Sequence, residues 1–105
     1  MSITLLISSD PETTSSDSVR ASIQAFIEKQ ELSQIFFIGS GLKHTGCHQI
    51  CALLARLKTE YQTMIGYCPS SAARHIPDFS SNIIEDYGLT QFYAFLHQSS
   101  KLEQL

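Results

Sequence analysis

Residues 63–75 of the chain read TMIGYCPSSAARH, and this stretch combines the two patterns that decide the fold. Its first part, TMIGY (63–67), is a short apolar run of the kind that forms a buried strand. Pro69 suits the first position of a helix, because proline lacks the N–H that would be unpaired there and its φ is already helical. We therefore predict a strand over 63–67 and a short helix over 69–75, with Cys68 at their junction.

The same alternation of apolar runs and amphipathic stretches continues on both sides of this segment. Further strands are predicted at 3–7 (ITLLI), at 34–38 (QIFFI), briefly around 82–84 and, as an edge strand, in the final KLEQL. Helices are predicted at about 17–30, 45–58 and 89–98. This order is typical of βαβ units around a parallel sheet. We predict an α/β fold with three α/β/α layers and a mostly parallel open sheet of about five strands, in one domain over residues 1–105.

The predicted helices each have an apolar face, and the segment before the second of them is rich in glycine. The first helix, capped by Ser16 or Asp17, is expected to bury four residues at helical spacing: Val19, Ile23, Phe26 and Ile27. The last helix is expected to turn four residues inward: Leu89, Phe92, Tyr93 and Leu96. GSGLKHTG (39–46) carries three glycines and is predicted to be a loop.

Composition restricts the classes of partner. The chain has 105 residues, a hydrophobic content of 43% and a formal net charge of −3, with seven Lys and Arg residues that are scattered along it. This charge offers no basic field for a phosphate backbone, so we expect no nucleic-acid partner. No apolar stretch approaches the roughly 20 residues that span a bilayer, and the first residues do not resemble an export signal. We expect a soluble, cytoplasmic protein with no membrane partner.

Cys68 is the residue whose setting points most directly to chemistry. Three cysteines, Cys47, Cys51 and Cys68, are an odd number without an export signal, which favours free thiols over a disulfide framework. A thiol at a helix start faces backbone N–H groups that lower its pKa and favour the nucleophilic thiolate. Functional sites of open α/β sheets also gather at the carboxyl ends of the strands. The alternative, a cysteine that packs as a small hydrophobic residue, has equal weight from the pattern alone.

Two other patterns give weaker signals. His44, Cys47, His48 and Cys51 follow an i, i+3, i+4, i+7 spacing, but one straight helix cannot wrap four ligands around a tetrahedral ion, so packing is the better interpretation and no metal is expected. His44 projects from the predicted loop and is a candidate accessory group for a thiol at the same edge of the sheet. GSGLKHTG matches neither GxxxxGK[ST] nor GxGxxG, so a phosphate-binding loop has only weak support.

Several of these segments together resemble the DsrE/TusD family of bacterial sulfur-relay proteins. The resemblance rests on IFFIGSGL (35–42), on the strand that ends in Cys68, on the small residues and arginine that follow it (Ala72, Ala73 and Arg74), and on the helix and terminal strand within YGLTQFYAFLHQSSKLEQL (87–105). It implies a DsrE-like fold in which Cys68 accepts a sulfane sulfur as a persulfide and passes it to a thiol of a partner protein. It also implies added positive potential from Arg74, no cofactor or metal, and a homo- or hetero-oligomer such as a trimer or hexamer.

The resemblance leaves a second function open. The family includes subunits that lack the reactive cysteine and act as structural partners, and the segment after the second strand is shorter here than is usual in the family. The chain is therefore predicted to be a sulfurtransferase of the persulfide-carrier type or, alternatively, a non-catalytic subunit of a DsrE-like assembly. A small-molecule or nucleotide-binding domain is the third possibility. Four aromatic residues near the carboxyl end either pack in the core or contact another subunit: Tyr87, Phe92, Tyr93 and Phe95.

Overall fold

A parallel sheet of five strands forms the centre of the molecule. The computed structural model describes residues 2–29 and 32–105. The strands are β1 (Ile3–Ile7), β2 (Leu32–Phe37), β3 (Met64–Tyr67), β4 (Glu85–Asp86) and β5 (Lys101–Gln104). Their order across the sheet is β4-β3-β2-β1-β5, and each neighbouring pair is parallel. The predicted α/β fold with a parallel sheet is confirmed.

Helical segments connect the strands and largely follow the predicted positions. They are α1 (Ser16–Glu28), a 3₁₀ segment (Gly39–Gly46), α2 (His48–Arg56) with a π-helical continuation (Leu57–Tyr61), α3 (Pro69–His75) and α4 (Leu89–His97). The glycine-rich loop is thus wound into 3₁₀ turns. The first helix was predicted to extend to Gln30, which lies outside the described residues. None of the helices in the described ranges combines the length and the apolar character needed to cross a membrane.

The predicted cap of α1 and the predicted position of the fourth strand are wrong. Ser15, and not Ser16 or Asp17, caps α1, because its Oγ accepts a hydrogen bond from the Ser18 N–H at 3.1 Å. The fourth strand is Glu85–Asp86, just after the predicted 82–84. The preceding turn is held by Ser81, whose hydroxyl oxygen accepts hydrogen bonds from the N–H groups of Ile83 and Ile84, so the chain reaches the sheet only afterwards.

One face of the sheet is an apolar core covered by α1 and α2. Side chains alternate along a strand, so every second residue of β1, β2 and β3 points to this face. The core contains Leu5 and Ile7 of β1, Ile35 and Phe37 of β2, Ile65 of β3, Val19, Ile23 and Ile27 of α1, and Ile50 and Leu54 of α2. Phe26 is partly buried against the same cluster, so the predicted stripe of α1 is confirmed. Burying each such aliphatic side chain contributes about 1.5–3 kcal/mol before the entropy of ordering is subtracted.

The opposite face is covered by α4, and it makes the third layer. Phe36 of β2 points to this side and packs against Phe92, with 4.7 Å between the ring centroids. Phe92 is buried, but Leu89 and Tyr93, which were predicted to face inward, are 42% and 53% exposed. Only a narrow stripe of α4 reaches the sheet, because a single helix crosses this face and no other helix packs on its outer side in the described part of the chain.

Tyr87 fills a notch that Gly66 leaves in the α4 face of the sheet. A side chain at Gly66 would overlap the Tyr87 ring, which stacks on Phe36 at 5.4 Å between centroids. The Tyr87 hydroxyl donates to Gln34 Oε1 at 3.0 Å, and Gln34 Nε2 donates to Thr4 Oγ1 at 3.2 Å. Burial raises the pKa of Tyr87, and the charge of Glu85 adds to this shift, so the hydroxyl remains a donor at ordinary pH. The Tyr87 ring therefore contacts β2 at Phe36, β3 at Gly66 and α4 at Phe95, whose ring centroid lies 5.8 Å away.

Because the Tyr87 ring occupies this notch, we expect Gly66→Ala to lower the free energy of unfolding by about 1–3 kcal/mol through overpacking. Without such a neighbour, alanine normally suits a strand better than glycine does. The free energy of unfolding from urea titrations measures the effect. In a Tyr87→Ala background the ring is gone, so the same Gly66→Ala change should then be neutral or stabilising. An equal cost in both backgrounds would show that the ring does not occupy the notch.

Candidate functional site

Cys68 lies where β3 ends and α3 begins, as the sequence predicted. Its N–H donates to the carbonyl oxygen of Phe37 at 3.1 Å, which continues the pairing of β2 with β3 by one residue. Its carbonyl oxygen accepts from the N–H groups of Ser71 at 3.0 Å and Ala72 at 3.2 Å, which are the first bonds of α3. Pro69 occupies the start of the helix. The Cys68 backbone is therefore held on both sides, and its thiol is partly exposed.

The surroundings of Cys68 favour the thiolate. Partial burial raises the pKa of the thiol, but the N–H and hydroxyl of Ser71, followed by those of Ser70, lower it, and the net result is a pKa below the ordinary value. Cys68 Sγ does not close a regular capping hydrogen bond. The two serines thus act as nearby donors whose dipoles stabilise negative charge on sulfur, and not as a strict helix cap.

Ser71 is fixed by the 3₁₀ segment. The Gly39 N–H donates to Ser71 Oγ at 2.7 Å, and Ser71 is only 8% exposed. Since Oγ already accepts this bond, its own proton remains available for the sulfur of Cys68. Gly39 has a φ of 59°, a left-handed conformation that suits glycine. Ser70 and Ser71 were not predicted as site residues, and the only sequence signal for them is their position directly after Cys68-Pro69.

Arg74 lies in a cleft beside these serines. Gly39, Ser70, Ser71, Arg74 and His75 line an open cleft of about 150 Å³. Arg74 is exposed and belongs to the last turn of α3. The structure therefore brings the predicted Arg74 to the two serines that act on Cys68, but Cys68 itself is not among the residues that line the cleft.

His44 is placed differently, because both of its ring nitrogens contact protein groups. The side chain is fully buried, with Nε2 2.9 Å from the Ser9 carbonyl oxygen and Nδ1 2.9 Å from Ser16 Oγ. A carbonyl can only accept, so Nε2 carries the proton and Nδ1 accepts from the Ser16 hydroxyl. Burial lowers the pKa of His44, and the bond to Ser9 and the charge of Asp10 oppose this shift. The ring ties the 3₁₀ segment to the loop before α1 and is not among the residues that line the Arg74 cleft.

The remaining cysteines pack at the start of α2. Cys51 Sγ donates to the Thr45 carbonyl oxygen at 2.9 Å, and burial together with the neighbouring Cys47 raises the pKa of Cys51. Cys47 is partly buried against the core, whereas His48 is exposed. Over residues 2–29 and 32–105, no group of three or more His, Cys, Asp or Glu side chains is arranged to hold a metal ion.

Comparison with solved structures shows a similar fold. The structure of the ychN protein from E. coli superposes with a TM-score of 0.72 at 15% sequence identity, and the match covers 100% of this chain and 99% of that chain. No protein-family model matches the chain, and no curated protein matches it. The likeness supports the α/β architecture with its parallel sheet.

The donors around Cys68 predict that Ser71→Ala raises the pKa of the thiol, since the variant loses one hydroxyl that stabilises the thiolate. The pH dependence of alkylation by iodoacetamide measures this pKa in a protein whose Cys47 and Cys51 are replaced by serine. We expect the midpoint to move to higher pH in Ser71→Ala and to stay in place in Ser80→Ala, an exposed control. An unchanged midpoint in Ser71→Ala would refute the role of this hydroxyl.

The burial of His44 predicts a loss of stability in acid. The pKa of the folded state lies below that of the unfolded chain, so the unfolded chain binds more protons as the pH falls below about 6.5. The free energy of unfolding should therefore decrease on acidification through this range. His44→Gln should be less stable near neutral pH by about 1–3 kcal/mol, because hydrogen bonds are lost, and its stability should vary less with pH over the same range. Parallel pH profiles of the two proteins would contradict this assignment.

Proposed function

We propose that the protein is a sulfur-relay protein that carries sulfane sulfur as a persulfide on Cys68. The observation that carries this proposal is a partly exposed thiol whose pKa is lowered by the N–H and hydroxyl groups of Ser71 and Ser70. A thiolate is the form of cysteine that attacks sulfur, and its fraction at neutral pH rises as its pKa falls. The site also lies at the carboxyl end of β3, where open α/β sheets carry their functional groups.

The reaction needs no redox cofactor. The Cys68 thiolate attacks the outer sulfur of a donor persulfide, R–S–SH, so that a new S–S bond forms on Cys68 and the S–S bond of the donor breaks. The donor leaves as the thiolate R–S⁻, and the transferred sulfur keeps its proton. An acceptor thiolate then attacks the same outer sulfur and releases Cys68 as a thiolate. The transferred sulfur keeps its oxidation state in both steps, so one protein site can be loaded and unloaded repeatedly.

Arg74 and the adjacent cleft have a role in this proposal. The persulfide extends one atom beyond the thiol, and the cleft beside Ser70 and Ser71, which Cys68 itself does not line, offers space next to cationic Arg74. A guanidinium there stabilises negative charge on the outer sulfur and attracts an anionic donor. The partners proposed are donor and acceptor proteins that present cysteines. The cytoplasm is the proposed compartment, because Cys47, Cys51 and Cys68 are all free thiols.

A second candidate function is that of a structural subunit in an oligomeric assembly. Leu89 and Tyr93 of α4 are 42% and 53% exposed, and Leu102 of β5 is 46% exposed. Leu102 pairs with Thr4, whose side chain points to the α4 side of the sheet, so all three apolar residues belong to that side. Exposed apolar groups of this kind are often covered by another subunit. A homo- or hetero-oligomer such as a trimer or hexamer is compatible with both candidate functions.

Loading with a small-molecule persulfide tests the relay function. The intact mass of the native protein should rise by about 32 Da, the mass of one sulfur atom, and later addition of an acceptor thiol should return it to the starting value. Cys68→Ser should gain nothing, while a Cys47→Ser, Cys51→Ser double variant should load like the original protein. Arg74→Gln should load more slowly, because the cationic group beside the persulfide is lost.

Two outcomes would reject the relay function. One is equal labelling of the original protein and Cys68→Ser, which would place the sulfur elsewhere. The other is a Cys68 thiol that stays unreactive in the folded protein, and the structural role would then be favoured if light scattering shows an oligomer. An exclusively monomeric protein would count against the structural role.

A further inference from the structure

A groove lies between α1 and α2, away from the serines of the Cys68 site. It encloses about 480 Å³ and is lined by Arg20 and Gln24 of α1 and by Gln49, Ala52, Leu53 and Arg56 of α2. Its walls thus carry two guanidinium groups and two amides, and its floor includes apolar Ala52 and Leu53. None of the lining residues is acidic. This combination is suited to a negatively charged ligand with an uncharged part.

Arg20 is the most unusual residue of this groove. Its Nε atom is buried and has no acceptor within residues 2–29 and 32–105, and no other side-chain nitrogen there is both buried and unpaired. A buried donor without a partner destabilises the folded state, and the penalty is larger for a charged group. An apolar side chain at this position would avoid the penalty. An acceptor that comes from outside the chain would satisfy this donor.

Arg56 supplies the second cationic group. Its Nε donates to Glu60 Oε2 at 3.0 Å, and the Tyr61 side chain also interacts with the guanidinium, so that Glu60 and Tyr61 together orient the group. The Arg56 side chain is 48% exposed, so it is accessible to a ligand. With Glu60 counted, Arg20 and Arg56 together leave one positive charge at the groove. Guanidinium groups bind carboxylate and phosphate oxygens with paired N–H donors.

We propose that this groove binds a small organic anion, with its carboxylate or phosphate group held by Arg20 and Arg56 and its uncharged part lying along Ala52 and Leu53. The amides of Gln24 and Gln49 supply further donors and acceptors to the body of the ligand. The volume falls in the range of small-molecule sites in proteins. The proposal is independent of the chemistry of Cys68, so it stands or falls separately from the relay function.

The test uses the 105-residue protein labelled with ¹⁵N and two probes, inorganic phosphate and acetate, each titrated at constant ionic strength. The chain has three arginines, so its side-chain Nε–H signals are few and can be assigned from variants. We expect a saturable shift of the Arg20 Nε–H signal with at least one probe, and the probe that binds more tightly identifies the head group. Arg20→Gln and Arg56→Gln should each weaken binding about tenfold or more, since each removes charge-assisted hydrogen bonds.

Lys29→Gln is the matched control, because it removes one positive charge from the end of α1 without touching the groove, and its affinity should equal that of the original protein. Arg20→Met adds a readout that a purely structural arginine would not give. Its thermal unfolding midpoint without anion should be equal to or higher than that of the original protein, since an unpaired buried donor is removed. If Arg20 were instead part of the structural framework, the midpoint would fall.

Four results would overturn the proposal. Three of them are a shift that grows with probe concentration without saturating, an affinity that is the same in Arg20→Gln and Arg56→Gln as in the original protein, and a clear loss of thermal stability in Arg20→Met. A change of the groove signals with protein concentration alone would also overturn it, because a second copy of the chain would then cover these residues.

Discussion

A hydrogen bond from the Gly39 N–H to Ser71 Oγ, 2.7 Å long, joins the two segments that follow β2 and β3. The 3₁₀ segment that begins with Gly39 is itself seated on the end of β1, because Gly41 packs so closely on the carbonyl of Ile7 that any side chain at Gly41 would overlap it. The position of Ser71 therefore depends on the position of β1, because the 3₁₀ segment contacts both. Ser71 in turn acts on the thiol of Cys68. The thiol site therefore depends on contacts made across three adjacent strands.

The two faces of the sheet are built on different principles. The face beneath α1 and α2 is filled by aliphatic side chains and Phe37, and it supplies most of the apolar burial of the fold. The face beneath α4 combines aromatic contacts around Phe36 with a hydrogen-bonded series that runs from Tyr87 through Gln34 to Thr4. Thr4 and Gln34 are buried and hydrogen-bonded, so their burial costs little free energy. The same hydrogen bonds restrict how α4 can lie on the sheet.

Local sequence patterns predicted the fold well where one short stretch contains the whole signal. The helix over 69–75 was predicted with its observed limits, because Pro69 marks the first turn. The strand at 85–86 was misplaced, since two residues carry no periodicity and the hydrogen bonds of Ser81 decide where the chain meets the sheet. Leu89 and Tyr93 have the spacing of core residues, but a sequence does not reveal that only one side of α4 is covered.

The candidate site was predictable only in part. Cys68 could be found because a strand and a helix meet there, which is a feature of local sequence. The role of Ser71 depends on Gly39, 32 positions earlier in the chain, and the position of His44 depends on Ser9 and Ser16, 35 and 28 positions earlier. Such pairings arise from the tertiary fold, so patterns of residue type along the chain carry no signal for them.

The identity of the two outer strands has a consequence for how copies of this protein can meet. β4 consists of Glu85 and Asp86 alone, and β5 carries Lys101 and Glu103, which form an ion pair at 2.7 Å. Charged and very short border strands resist the addition of a strand from another molecule, which is a common route to fibrils. Growth of the sheet from chain to chain is thus disfavoured at both borders. Lateral association is directed instead to the helical surfaces, where shape and charge can select the neighbour.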